Sequence, residues 1–307
     1  MAQRIASLLP AATEALFALG LGERIVGVSH ACDEPPEARS KAKLTRLLVD
    51  ASGSSAEVHA AVRNGVATSN DLFEIDRVAL ASAAPDLVVT QATCTVCAAD
   101  ETVVVNALRE TGLAPDLLTL DPHGLDDVVA DVLELGRRAN ADRQAEELTA
   151  GLTERIEAVG TLGADAADRP RVAVLDWMDP LMAAGHWVPG MVERVGGLPL
   201  FVEPGEASRR LEWDELRAAE PEVIVVAPCA VASDVVQDEM SALTALAGWS
   251  EVPAVLEGRV FALEGPLSLS RPGPGLIDAF EVLAVAVHPD LYAHDLGERA
   301  GELVPLA

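Results

Sequence analysis

The sequence has almost no lysine. Lys41 and Lys43 are the only two in 307 residues, and 22 Lys plus Arg stand against 49 Asp plus Glu, a formal net charge of −27. Such a surface repels a phosphate backbone, so nucleic acid is excluded as a partner. Aromatic residues are also scarce, at 3% of a chain that is 50% hydrophobic, so the core is predicted to be mostly Ala, Val and Leu. No window approaches the roughly 20 apolar residues of a membrane span, which argues against membrane insertion. The opening "MAQRIASLLP" lacks the charged, long apolar and small-residue succession of a leader. The expectation is therefore a cytoplasmic chain, whose thiols stay reduced. The acid excess suits salty surroundings, where screening weakens self-repulsion. A GC-rich genome, which replaces Lys by Arg, accounts for the lysine shortage equally well.

Catalytic signatures are missing too. There is no GxxxxGK[ST], no GxGxxG after the first strand, no GxSxG elbow and no HExxH. No complete catalytic constellation remains, so a binding protein is expected rather than an enzyme.

What is present is an alternation of strands and helices. "RIASLL" (4–9), "RIVGVS" (24–29), "PDLVVTQ" (85–91) and "DLLTL" (116–120) read as strands. "PAATEALFALGLG" (10–22), "DRVALASAA" and "CAADETVVVNALRETG" read as helices between them. Residues 30–71, with Pro35-Pro36 and "DASGSS", read as irregular. Such alternation implies βαβ units and a mostly parallel sheet. Residues 125–159 form one long amphipathic pattern, broken only by Gly136 and Gly151. As one helix of ~35 residues it would run roughly 50 Å; the alternative is two helices broken near Gly136 or Asn140. Beyond "GADAADRP", residues 171–177, 222–228 and 259–263 read as strands, with helices near 187–197, 233–247 and 273–287. The predicted fold class is α/β, two Rossmann-like lobes joined by a single long helix. The lobes are expected at 1–122 and 163–307, with the connecting helix at 123–162.

In open α/β sheets, ligands bind beyond the carboxyl ends of the strands. The residues at those exits are Pro10 and Thr13, then His30 and Cys32, then Gln91, Cys94 and Cys97. In the second half they are Trp177, His186 and Trp187, then Cys229, then Ser270 and Arg271. If the two lobes face each other, these loops converge on one cleft. All four cysteines fall at such exits. "TQATCTVCAAD" gives Cys94 and Cys97 the spacing of two thiolates on one metal, or of a redox pair. Cys32, Cys94, Cys97 and Cys229 are therefore candidate ligands for zinc or an iron–sulfur cluster, with small core thiols as the competing reading. Trp177, Trp187 and Trp213 offer stacking faces for a flat ligand, or are core residues.

"RIASLLPAATEALFALGLGERIVGVSHACDEPPEA" resembles the opening of the vitamin B12-binding component of ABC importers, and more closely a signal-less subgroup described as cobalamin-binding proteins. "PDLVVTQATCTVCA", "GHWVPGMVERVGG", "VIVVAPC" and "SRPGPGLIDAFEVLA" resemble later segments of that subgroup. The resemblance covers nearly the whole chain. It implies the class III periplasmic-binding-protein architecture, two α/β lobes on one rigid helix, with cobalamin or a related corrinoid held between them. It implies a small-molecule ligand and no catalysis. The lack of a visible leader argues against docking to a permease from outside the membrane. The alternative expectation is a cytosolic metalloprotein holding a metal ion or cluster directly on its cysteines.

Overall fold

The computed structural model describes residues 3–50, 53–69, 72–93, 99, 101–228, 233–263 and 267–306. They form two compact units. One comprises Met1–Gly53, Glu57–Pro122 and Asp126–Leu152; the other comprises Ser54–Ala56, His123–Leu125 and Thr153–Ala307.

In the first unit the strands are β1 (Ile5–Ser7), β2 (Ile25–Val28), β3 (Thr45–Leu47), β4 (Phe73–Ile75), β5 (Leu87–Gln91) and β6 (Asp116–Leu120). The main sheet has the order β2-β1-β5-β6 and is parallel throughout. β3 and β4 form a separate antiparallel pair. Every residue of β5 is buried, because helices cover both faces of the sheet. A strand buried on both faces reads as a continuous apolar run rather than an alternation, as "LVV" does. One face packs Ile5, Leu87 and Val89 against Leu16 and Leu135. The other packs Ala6 and Val88 against Leu44, Leu80 and Val104. Asp76 caps the helix Arg77–Ala83 by accepting from the amides of Val78 and Ala79.

Residues 30–71 are less irregular than the sequence suggests. They include β3 and a helix, Ser55–Ser69. None of residues 55–65 is buried. A helix without a buried stripe gives no apolar periodicity to detect.

The long amphipathic segment is two helices, Leu125–Arg138 and Asp142–Ala164. The stop lies at Asn140, which takes the left-handed conformation at φ 53°. The Asn140 amide donates to the Arg137 carbonyl at 3.0 Å, and the Ala141 amide to that of Gly136 at 2.8 Å. This is the Schellman pattern, with asparagine in the place glycine usually takes. Gly136 itself is helical. Its role is a close approach: a Cβ there would lie 2.2 Å from the Cβ of Ala145 in the next helix. A Gly136→Ala variant gains about 1 kcal/mol of helix propensity but overpacks this contact, which costs about 1–3 kcal/mol. A net loss of melting temperature is expected in thermal denaturation; a gain would show that the two helices separate freely.

The helix Asp142–Ala164 begins in the first unit and ends in the second. At 23 residues it runs about 35 Å. The expected architecture of two α/β lobes and a long helix is thus observed, with the long helix shorter and later than 125–159.

The second unit contains β7 (Arg171–Met178), β8 (Leu181–Ala183), β9 (Leu198–Pro199), β10 (Arg209–Arg210), β11 (Val223–Val226), β12 (Val260–Leu263) and β13 (Leu303–Pro305). Its sheet has the order β10-β8-β7-β11-β12-β13, with β9 also on β7. β7, β11 and β12 are parallel, while β8, β10 and β13 pair antiparallel. The helix Gly275–Val287 is buried from Leu276 to Val287 except at Asp278. Glu281 is the only charged side chain among those buried residues, and it meets two arginines. Arg155 from the long helix donates Nε and Nη2 to Glu281 at 2.7 and 2.8 Å, and Nη2 to Asp278 at 2.7 Å. Arg299 donates to the same two carboxylates.

Candidate ligand-binding site

In the first unit the carboxyl ends of β1 and β2 carry a buried polar network. Thr13, one turn into the helix that starts at Pro10, places its Oγ1 2.8 Å from Ser7 Oγ, 3.1 Å from Cys32 Sγ and 3.2 Å from the Leu9 carbonyl. Ser7, Thr13 and Cys32 are all fully buried. Beside them, Thr45 donates to Ser29 Oγ at 3.2 Å. Its Oγ1 is also 3.0 Å from the His30 backbone nitrogen and 2.8 Å from His30 Nδ1. The His30 ring lies 5.6 Å from that of Phe73. Partial burial, and then the nearby positive charge of Lys43, push the His30 pKa below its ordinary value. Gln91 ends β5 and is buried at the same sheet edge.

In the second unit Trp187 is buried and donates its indole N–H to the Leu269 carbonyl at 2.7 Å. That bond joins the His186–Trp187 turn to the segment bearing Ser270 and Arg271, which is itself held by Ser268 Oγ, 2.8 Å from Ser270 Oγ. Trp187 is 7% exposed, so little of its surface is open to a ligand. His186 has φ 56°, a left-handed conformation that an L side chain rarely takes. It is held there from both sides: its amide donates to the Glu206 carbonyl at 2.5 Å, and its carbonyl accepts from Gly205 at 2.8 Å. Gly185 permits this approach, since a Cβ there would lie 2.4 Å from the Glu206 carbonyl oxygen. Trp177 is half-buried, and its indole N–H faces the Ser55 and Asp179 carbonyls, each at 3.1 Å. Trp213 sits elsewhere, donating to the Ala247 carbonyl and tilted against Trp249.

The strand-exit residues thus gather into two groups. Pro10, Thr13, His30, Cys32 and Gln91 lie along one edge of the first sheet. His186, Trp187, Ser270 and Arg271 lie together in the second unit. Among the described residues no three His, Cys, Asp or Glu side chains come together to hold a metal ion. Cys94, Cys97 and Cys229 lie outside the described residues.

Two carboxylates escaped the sequence reading. Asp131, on the helix Leu125–Arg138, has its Oδ2 buried with no hydrogen-bond partner. Burial, and then the charges of Asp127 and Asp121, push its pKa up to about 7. Asp176 sits at a bulge of β7, where pairing with β8 slips between Leu175 and Trp177. Ser208 donates to its Oδ2 at 2.5 Å, and its Oδ1 is buried without a partner. Burial raises its pKa, and the bond from Ser208 partly offsets the rise. The signal for Asp176 was an acid inside the apolar run "RVAVLDW". For Asp131 there was none, because "LDDVVADV" reads as an ordinary polar face.

The model of the periplasmic binding protein family matches residues 5–267. The chain belongs to the periplasmic binding protein family. Two α/β lobes and a long helix are the class III arrangement of that family, which comprises solute-binding proteins rather than enzymes. Among relatives, the ABC transporter substrate-binding lipoprotein YvrC of Bacillus subtilis is 24% identical over 94% of this chain and 81% of its own. A vitamin B12-binding protein of Vibrio cholerae is 22% identical over 91% of this chain and 87% of its own. Among solved structures, the periplasmic heme-binding protein RhuT of Roseiflexus sp. RS-1 superposes with a TM-score of 0.70, at 23% identity, over 95% of this chain and all of its own. These findings correct the cytoplasmic location expected from the opening residues. The relatives of this periplasmic binding protein are described as a lipoprotein and as periplasmic, outside the cytoplasm. The argument against permease docking, which rested on that location, falls with it. Among the described residues no helix is long and apolar enough to cross a membrane.

Proposed function

We propose that this protein is the extracytoplasmic solute-binding component of an ABC importer, and that its solute is a metal-centred macrocycle, cobalamin in preference to heme. The observation that carries this reading is the likeness, along 91% of the chain, to a protein named for B12 binding. The fold neighbour named for heme binding belongs to the same chemical class of ligand. Charge orders the two. Heme carries two carboxylates, whereas the rim of a corrin carries neutral amides. A protein of net charge −27 repels the first and not the second. The strand-exit residues Pro10, His30, Gln91, Trp177, His186, Ser270 and Arg271 are proposed as the ligand contacts, with the fully buried Thr13 supporting them from within the protein.

The test is calorimetric titration of the purified chain with cyanocobalamin and, separately, with hemin. Cyanocobalamin is expected to saturate at one equivalent with a Kd at or below about 1 μM, which is about −8 kcal/mol. Hemin is expected to bind at least about tenfold more weakly, a difference of about 1.4 kcal/mol. Tighter binding of hemin would reverse the order. Binding of neither would overturn the reading.

A further inference from the structure

The hydrogen bonds around His30 fix more than its position. Thr45 is 5% exposed and Ser29 2%, so the support beneath the ring is buried and rigid. Thr45 Oγ1 accepts from the His30 backbone N–H at 3.0 Å and lies 2.8 Å from His30 Nδ1. In the tautomer that protonates Nδ1, this N–H donates to Thr45 and Nε2 presents its lone pair. Nε2 makes no hydrogen bond among the described residues, and His30 is half-buried just past the carboxyl end of β2. A histidine held through one nitrogen, with the other bare, is the arrangement by which proteins present imidazole to a metal. Thr45 holds both the backbone and the ring of the same residue, and Phe73 packs on the ring. Few torsions are left free, so little entropy opposes coordination.

We propose that His30 is an axial ligand to the metal of the bound macrocycle, coordinating through Nε2, with Thr45 as its positioning residue. This rests on the reading of the solute as a metal-centred macrocycle. The step is a substitution without redox change. The Nε2 lone pair forms the bond to Co(III) or Fe(III), and the metal-bound water leaves as water. A metal whose axial position holds exchangeable water accepts the histidine. One whose position is held by cyanide does not.

The experiment compares aquocobalamin with cyanocobalamin. On binding the wild-type protein, aquocobalamin is expected to shift its visible bands as nitrogen replaces oxygen on cobalt, and to bind about tenfold or more tightly than cyanocobalamin. In His30→Ala and His30→Gln the band shift should vanish and the affinity ratio should fall to about one. Thr45→Val keeps the imidazole but removes its anchor, and a partial shift is expected. Melting curves identify any variant that fails to fold, and the glutamine variant guards against a collapse specific to alanine. A shift that persists in both His30 variants overturns the proposal. So does the absence of a shift in a wild-type protein that binds cyanocobalamin, and in that case the importer reading stands. If the wild type binds neither cobalamin nor hemin, the reading under Proposed function fails and this inference fails with it. If it binds hemin alone, a Soret band identical in wild type and His30→Ala overturns the axial ligand.

Discussion

An Arg155→Ala variant is expected to melt about 5–10 °C below the parent. Glu281 lies on a helix that is otherwise apolar and buried, and its side chain is only 8% exposed. Arg155 meets it with two parallel N–H···O bonds and reaches Asp278 with a third contact. Those carboxylates in turn hold the Arg155 guanidinium firmly protonated. Removing one partner of a buried pair strands the other charge, a loss of about 3–5 kcal/mol where nothing replaces it. Here Arg299 remains on the same carboxylates, so about 2–4 kcal/mol is expected. For a chain of this size each kcal/mol moves the midpoint by about 2–4 °C. Arg143→Ala is the control. Arg143 pairs with Glu147 on the same helix, but the two side chains are 75% and 64% exposed. Exposed pairs contribute about 0–1 kcal/mol. Equal melting temperatures for the two variants in calorimetry would show that the buried cluster holds nothing together.

The second large effect is a pH dependence. Asp131→Asn is expected to stabilise the protein at pH 8 and to leave it unchanged at pH 4. The folded state holds the Asp131 pKa up at about 7, against an ordinary value of 3.8. Between those values the native state binds more protons than the unfolded state, so stability falls as pH rises. The wild type therefore loses stability from about pH 4 to about pH 7, and the loss is complete above that. Asparagine removes the charge and with it the loss. Each pKa unit is worth about 1.4 kcal/mol at most. Asp131 is partly exposed, and solvent screening reduces the gain to about 1–2 kcal/mol. Denaturant midpoints at the two pH values provide the check. A variant that is stabilised equally at pH 4 would point to packing rather than charge.

The elements that the sequence revealed are those whose physics is local. β5 could be read from "PDLVV", because burial on both faces demands an apolar run. The helix Gly275–Val287 could be read because it is apolar all round. The helix Ser55–Ser69 could not, since none of residues 55–65 is buried and nothing in its sequence marks a core face. The sequence reads as one helix over 125–159, with a break near Gly136 or Asn140 as the alternative; the break is at Asn140, while the absent side chain of Gly136 serves the contact with Ala145. At the candidate site the chain showed which residues stand at strand exits, but not their partners. Thr45 lies fifteen residues from His30 in sequence, within a stretch that reads as irregular. The bulge that re-aims Asp176 depends on pairing with β8, a three-residue strand that carries no signal of its own.

The outer strands of the second sheet bear on how the protein behaves when crowded. On one side the sheet ends in β10, two arginines long, with Arg209 tied to Glu215 at 2.5 Å. On the other it ends in β13, three residues long and finishing at Pro305, which has no amide proton to offer. An edge strand that is long, flat and apolar recruits further strands and seeds fibres. Brevity, positive charge and proline deny a second chain that template at both edges. Because brevity and proline are features of the backbone, that part of the protection does not depend on the repulsion between acidic surfaces, and it persists where high salt screens charge away.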